Sequence, residues 1–231
     1  MSSRGAEGMR IASIIPTRDR AHMVGDALAS LLAQTRQPDT IIVIDDGSVD
    51  HTAEVLAGFG DKLTVLTLPG LGPSAARNAG LAHATDDCVH FLDSDDVMLP
   101  GALAALELAL TDDAAADYAW GMLHMEILPG GAMQHANWPT EPAHIFQVDA
   151  LLFRRGQLLD LGGFDERLRY GEDLDLYARV NAAGWQGAKV PHVVARNRRH
   201  AGNMTTDKPG ALRGMFDAAR LAARRAQGIK A

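Results

Sequence analysis

One cysteine, Cys88, occurs in the 231 residues, so no internal disulfide can form. The apolar run around it, Cys88 to Leu92, gives that thiol the part of a small buried hydrophobe in a reducing compartment. No apolar stretch approaches the roughly 20 residues that cross a bilayer, and the first ten residues lack the apolar core of a secretion signal. The expected location is cytoplasmic, with peripheral contact at the inner face of the membrane as the remaining possibility. Net positive charge is missing too. A formal charge of −7 and a pI near 5.7 argue against a nucleic-acid partner, which needs a basic surface to neutralise phosphates. Two basic stretches break that balance, Arg196 to His200 and a tail with Arg213, Arg220, Arg224 and Arg225. They suit a phosphate-rich substrate or an anionic membrane surface, and the plainer reading of the tail is a solvated helix face.

What is present is acid in one place. The run Phe91 to Asp96 reads as an apolar strand that ends in three carboxylates, Asp93, Asp95 and Asp96. Such a cluster repels itself unless a cation joins it, and Mg2+ or Mn2+ prefers carboxylate oxygens while leaving positions open for phosphate. A metal-held phosphate ester is one reading. The other is a polar turn in which Asp95 or Asp96 caps the helix after Pro100.

From residue 10 to 110, short β-rich runs alternate with longer Ala- and Leu-rich amphipathic segments, the punctuation of an α/β fold. Strands are expected at Ile11 to Ile15, Thr40 to Ile44, Leu63 to Leu68 and Cys88 to Leu92, all nearly continuously apolar, with helices at about Ala21 to Gln34, His51 to Phe59 and Pro73 to Ala84. Right-handed crossovers then make a mainly parallel sheet that binds ligands beyond the carboxyl ends of its strands. The polar clusters Pro16 to Asp19, Asp45 to Ser48 and Asp93 to Asp96 all fall at those ends. Farther on, Ala116 to Ile127 and Phe146 to Phe153 read as strands with antiparallel pairing. Glu172 to Ala183 and Pro209 to Arg225 read as helices. We expect one domain, with a regular α/β half at about 10–110, a less regular half at about 111–205 and a C-terminal helix at 209–228.

Three further clusters carry chemistry. Asp45 and Asp46 enter a tight turn at Gly47, after which Ser48 or Asp50 caps the next helix; a carboxylate there can accept from a base N–H or a ribose hydroxyl. Gly72 and Pro73 open a helix whose N-terminus suits an anion, and Arg77, one turn in, is a phosphate partner or a clamp for an aspartate. Glu172 and Asp173 open a helix in which Asp175, roughly 200° around, points away. Trp138, Trp185, Tyr118 and Tyr170 can stack on sugar rings, although core packing suits them better and Trp138 is the best exception.

In order, these blocks are P-T-x-x-R from Pro16, DDGS-x-D-x-T from Asp45, A-x-R-N-x-G from Ala75, F-L-D-S-D-D from Phe91 and GEDLDL at Gly171 to Leu176. Together, from about Ile11 to Thr205, they resemble family 2 glycosyltransferases of the GT-A fold. The resemblance implies inverting transfer of a sugar from a nucleoside diphosphate sugar, a UDP-sugar first, to a saccharide or lipid-linked hydroxyl acceptor, with Mn2+ or Mg2+. It puts Pro16, Thr17, Arg18, Asp45 and Asp46 around the base, Asp93 near ribose or metal, Asp95 on the metal, and Asp173 as general base beside Glu172. His200 would join the metal or touch the diphosphate in a closing loop, with Arg198 or Arg199 balancing phosphate charge. Arg18 stands where many relatives have an aromatic residue, and Asp19 where asparagine is common, which leaves the base open; a guanidinium plane also stacks on bases.

Other readings compete. Asp93 to Val97 fits the D-x-D-x-V pattern of haloacid-dehalogenase-like phosphatases, with Asp93 as nucleophile. That motif should follow the first strand, and no lysine lies between Lys62 and Lys189 to complete it. A nucleotidyltransferase would need a glycine-rich basic loop where Pro16 to Arg20 stands. A non-catalytic nucleotide-sugar sensor would keep the fold without the chemistry.

Overall fold

The computed structural model describes residues 8–131 and 139–226, so Trp138 lies outside the described residues. The chain opens with β1 (Ile11–Thr17), α1 (Val24–Leu32), β2 (Thr40–Asp45), α2 (Thr52–Ala57), β3 (Thr64–Thr67), α3 (Pro73–His83) and β4 (Cys88–Phe91). It continues through β5 (Val97–Met98), α4 (Ala102–Asp112), β6 (Tyr118–Ile127), β7 (Leu151–Arg154), α5 (Arg155–Asp160), α6 (Glu172–Ala182), β8 (Gly187–Arg199) and α7 (Lys208–Ala226). The eight strands form one sheet in the order β3-β2-β1-β4-β7-β6-β8-β5. Pairing is parallel among β3, β2, β1 and β4, antiparallel on both sides of β7, and parallel again between β6 and β8. Mixed pairing with helices on both faces is the expected α/β architecture.

Periodicity explains the layers. Every residue of β1 is buried, as a strand covered on both faces requires. In α1 the buried residues Val24, Ala27, Leu28 and Leu31 repeat at helical spacing and meet Leu103, Leu106 and Leu110 of α4 on one face of the sheet. On the other face α3, α5 and α6 bring Ala76, Leu81, Leu158, Leu176 and Val180 against Phe91 and Phe153. Each leucine, valine or phenylalanine among them, fully buried, contributes about 1.5–3 kcal/mol. Cys88 sits in the first layer at 1% exposure, and burial pushes its thiol up to about 11, so it packs as an inert hydrophobe. At Gly80, a Cβ would lie 2.4 Å from Cγ2 of Ile14, so α3 rests on β1 only because that side chain is missing.

Several elements differ from expectation. β3 alternates half-buried and exposed residues because it is the sheet's edge. The expected strand Phe146 to Phe153 begins only at Leu151; a 3₁₀ turn at Val148–Ala150 comes first and buries Asp149 completely. The basic stretch Arg196 to Arg199 is the end of β8, whose lysine, histidine and Pro191 hide its strand character, and His200 is the first residue past it. α5 was not expected, and at six residues it is too short to show a repeat.

Candidate active site

A cleft of about 920 Å³ opens at the carboxyl ends of β1, β2 and β4 and is roofed by residues 145–147, 166–174 and 202–205. On its first wall stand Pro16, Thr17 and Arg18, the end of β1, with Asp46 beside them. Both oxygens of Asp46 are engaged by backbone: Oδ1 accepts from the N–H groups of Gly70 (3.1 Å) and Leu71 (2.7 Å), and Oδ2 from Gly72 (2.7 Å). The carboxylate thus shapes the turn that leads into α3. Asp45 is not on the cleft wall; its Oδ1 accepts from Ser48 N–H at 2.9 Å and closes the turn at Gly47. Neither Ser48 nor Asp50 is the N-cap of α2, a position held by His51; Asp50, one residue earlier, accepts from Thr52 N–H at 2.9 Å. Arg18 is half-exposed, and its Nη1 lies so close to Gly70 that a Cβ there would come within 2.8 Å. Asp19 is, among the described residues, the one non-glycine with positive φ, at 52°, a conformation that Asp and Asn tolerate best. Its Oδ1 accepts from Val49 N–H at 2.8 Å.

The second wall is acidic. Arg77, 3% exposed, donates from Nη2 to Asp93 Oδ1 at 2.6 Å and from Nη1 to Glu172 Oε1 at 3.0 Å. It is the clamp of the two roles expected for it, joining α3, the end of β4 and the start of α6. The neighbouring Asp173 lines the cleft, and its Oδ1 is buried without a hydrogen-bond partner. Burial raises its pKa well above the usual carboxylate range; Arg77 opposes this, while Glu172, Asp93 and Asp149 add to it. Asp175 is fully buried and paired with Arg179 and Arg225, facing away as its spacing requires.

Asp95 turns to the other side. Its Oδ2 lies 3.0 Å from His200 Nε2 and 3.6 Å from Arg20 Nε. Burial raises its pKa, but the His200 hydrogen bond and the Arg20 charge outweigh that and hold it low. His200 is therefore beside the metal aspartate that the resemblance assigns. Asp96 caps no helix, since Gly101 precedes α4; its Oδ1 accepts from Arg198 N–H (2.7 Å) and Oδ2 from the Asn197 amide (2.6 Å). Asp93, Asp96 and Asp149 each bring one carboxylate oxygen within 4.8 Å of the others, a group able to hold a metal ion. Asp149 also accepts the Asp93 N–H at 2.7 Å, and its Oδ2 is buried without a partner. Burial, then the Asp93 charge, pushes its pKa up to about 8. Sequence reasoning missed Asp149, yet a signal existed: it is the lone acid in the apolar run Phe146 to Phe153.

Arg199, 6% exposed, lines the cleft and lies 3.4 Å from Thr205 Oγ1, with burial lowering its pKa. Arg198 does not reach the cleft; it ties Asp26 to the backbone oxygen of Asp95. Of the other aromatics, Tyr118 is in the core, Trp185 packs against it, and Tyr170 lines the cleft with its hydroxyl donating to Asp207.

This arrangement has known counterparts. The profile described as glycosyl transferase family 2 matches residues 13–156. The chain belongs to that family. Among its relatives, the succinoglycan biosynthesis protein ExoU of Rhizobium meliloti is 31% identical over 198 residues, covering 75% of this chain and 57% of that protein. The uncharacterized glycosyltransferase Mb0553 of Mycobacterium bovis is 31% identical over 189 residues, covering 78% and 82%. The chain spans 38% to 57% of the first three curated relatives it matches. In structure it resembles S. aureus TarS 1–349 in complex with UDP-GlcNAc, with a TM-score of 0.74, 20% identity, and coverage of 93% of this chain and 66% of that one. It also resembles the mannosyltransferase PcManGT of Pyrobaculum calidifontis in complex with GDP-Man and Mn2+, with a TM-score of 0.71, 19% identity, and coverage of 95% and 65%. The fold is GT-A.

Proposed function

We propose that the cleft binds a nucleoside diphosphate sugar and passes its sugar to a hydroxyl acceptor with inversion at the anomeric carbon. The observation that carries this reading is Asp173, a cleft-lining residue whose buried Oδ1 has no protein partner and whose proton affinity is raised. A group so placed can take the acceptor's hydroxyl proton as the oxygen attacks. Glu172 positions the start of α6 through Arg77. The first wall receives the nucleotide, where the Arg18 guanidinium can stack on a base and the N–H groups around Asp46 hold the wall's shape. UDP is the expected nucleotide. TarS was solved with UDP-GlcNAc and PcManGT with GDP-Man, which supports a nucleotide-sugar donor for this chain.

The residues fit a hard divalent ion such as Mn2+ or Mg2+. Asp93, Asp96 and Asp149 offer only carboxylate oxygens, one of them the orphaned Oδ2 of Asp149, and Asp95, turned to the other side beside the His200 imidazole, is the further ligand the family resemblance assigns. When bound, such an ion neutralises charge growing on the departing diphosphate. Arg199, on the cleft wall, supports the same leaving group with its own charge. The acceptor we expect is a saccharide or a lipid-linked hydroxyl.

The test is donor turnover with UDP- and GDP-sugars, with and without Mn2+, on the wild type and Asp173→Asn. Metal-stimulated turnover that Asp173→Asn abolishes is the expected result. Donor binding with no turnover under any condition would leave a sensor in place of an enzyme, and sugar-phosphate hydrolysis without nucleotide would point to a phosphatase.

A further inference from the structure

The two sides of α7 do different things. Its inner side is made of small residues, Gly210, Gly214 and Ala218, all buried. A Cβ on Gly214 would lie 2.4 Å from Cβ of Tyr170. Arg225 also turns inward, to Asp165 at 2.7 Å and to Asp175. The outer side carries Leu212, Phe216, Ala219 and Ala223 at i, i+4, i+7 and i+11, so they form one stripe along the helix. All four are exposed, Phe216 at 63% and Leu212 at 54%. Beside the stripe, Arg213, Arg220 and Arg224 repeat at i, i+7 and i+11 and make a parallel basic row. Between Lys208 and Ala226, five basic residues stand against one acid, Asp217, in a chain whose net charge is −7.

An exposed aromatic and leucine stripe with an arginine fringe is the pattern of a helix that lies in a membrane interface. No helix among the described residues is long and apolar enough to cross one. We propose that α7 seats this protein on an anionic phospholipid bilayer, with Leu212 and Phe216 entering the acyl boundary and Arg213 and Arg220 meeting lipid phosphates. Charge favours this occupant over an antiparallel pairing with a second copy of the chain, which would bring two arginine rows together where lipid phosphates would answer them. The apolar surface is continuous with the active cleft. Met215 and Met204, 41% and 40% exposed, lie on its rim with Leu174 and Tyr177. A bilayer under α7 therefore faces the Asp173 side of the cleft, where the proposed reaction would receive its hydroxyl acceptor. This last step rests on the transferase reading and makes the acceptor membrane-borne.

Vesicle sedimentation of the full chain, without nucleotide, tests the docking. The chain should bind phosphatidylcholine vesicles containing phosphatidylglycerol, ignore pure phosphatidylcholine, and be released by high salt. Leu212→Glu with Phe216→Glu, and separately Arg213→Glu with Arg220→Glu, should each weaken binding by about tenfold or more. Both pairs are exposed, so thermal melts and donor turnover in solution should match the wild type. Equal binding to both vesicle types, no binding to either, or wild-type binding by the Leu212 and Phe216 variant would overturn the proposal. So would a concentration-dependent dimer in sedimentation that Phe216→Glu dissolves while vesicles go unbound. Vesicle binding needs no catalysis, so a failed donor assay sinks the transferase reading and leaves the docking standing, and the reverse holds too.

Discussion

Arg77 and Asp93 meet at 2.6 Å between α3 and the end of β4, with the arginine almost wholly buried. The same guanidinium holds Glu172 at 3.0 Å, so its removal would leave two carboxylates facing each other beside Asp173. Breaking a buried pair from one side costs about 3–5 kcal/mol. We expect Arg77→Met to lower the melting temperature sharply, and Arg77→Lys, which cannot bridge both acids with a planar fork, to lose most turnover while staying folded. Thermal melts alongside donor kinetics check both outcomes.

Asp173→Asn should lower kcat by about 10²–10⁴-fold, the usual worth of a general base, with little change in donor KM. Its Oδ1 has no protein partner to lose, so stability should hold or rise. A comparable fall in Asp175→Asn without loss of stability would contradict the assignment, since Asp175 is buried among Arg179 and Arg225.

Asp149 links pH to stability. Its native carboxyl keeps a proton up to about pH 8, whereas the unfolded chain releases it near 3.8. Protonation therefore favours the native state at low pH, and that stabilisation drains away as pH rises from about 4 towards 8. Asp149→Asn is neutral throughout and can still accept the Asp93 N–H. Relative to this variant, the metal-free wild type should lose at least about 1 kcal/mol between pH 5.5 and 8. Urea titrations at the two pH values measure it, and added Mn2+ should narrow the gap by replacing the proton.

Gly80→Val should cost about 1–3 kcal/mol or more, because its side chain must displace Ile14 of β1. Gly156→Ala in α5, where an added Cβ meets nothing within 4 Å, is the matched control and should be neutral or slightly stabilising. Chemical denaturation of both variants makes the comparison.

The first half of the fold was legible because β1, β2, β4, α1 and α3 each carry an unbroken apolar run or a helical repeat that burial rewards. Helix spacing alone turned Asp175 away from the start of α6, the family resemblance singled out Asp173, and charge left Arg77 as either a phosphate partner or a clamp until its contacts with Asp93 and Glu172 were seen. Two things were not legible. β8 mixes charge, histidine and proline because much of it is exposed, so its alternation is faint, and its buried end, Asn197 to Arg199, is polar for the sake of Asp95 and Asp96. Asp149 was hidden because its meaning depends on contacts with Asp93 and Asp96, 56 and 53 positions away, which no local pattern encodes.

Two acids after β4 are answered from the later part of the chain, Asp95 by His200 and Asp96 by Asn197, while Asp93 is held by Arg77 of α3 and gives its backbone N–H to Asp149. Left alone, the early strands would keep Arg77 on Asp93 and Arg20 near Asp95, but Asp96 would lose both donors that hold its carboxylate. The later strands act as a clasp, and assembling the reactive centre coincides with fastening the two halves together. A folding intermediate built only from the amino-terminal strands would be both inert and electrostatically restless.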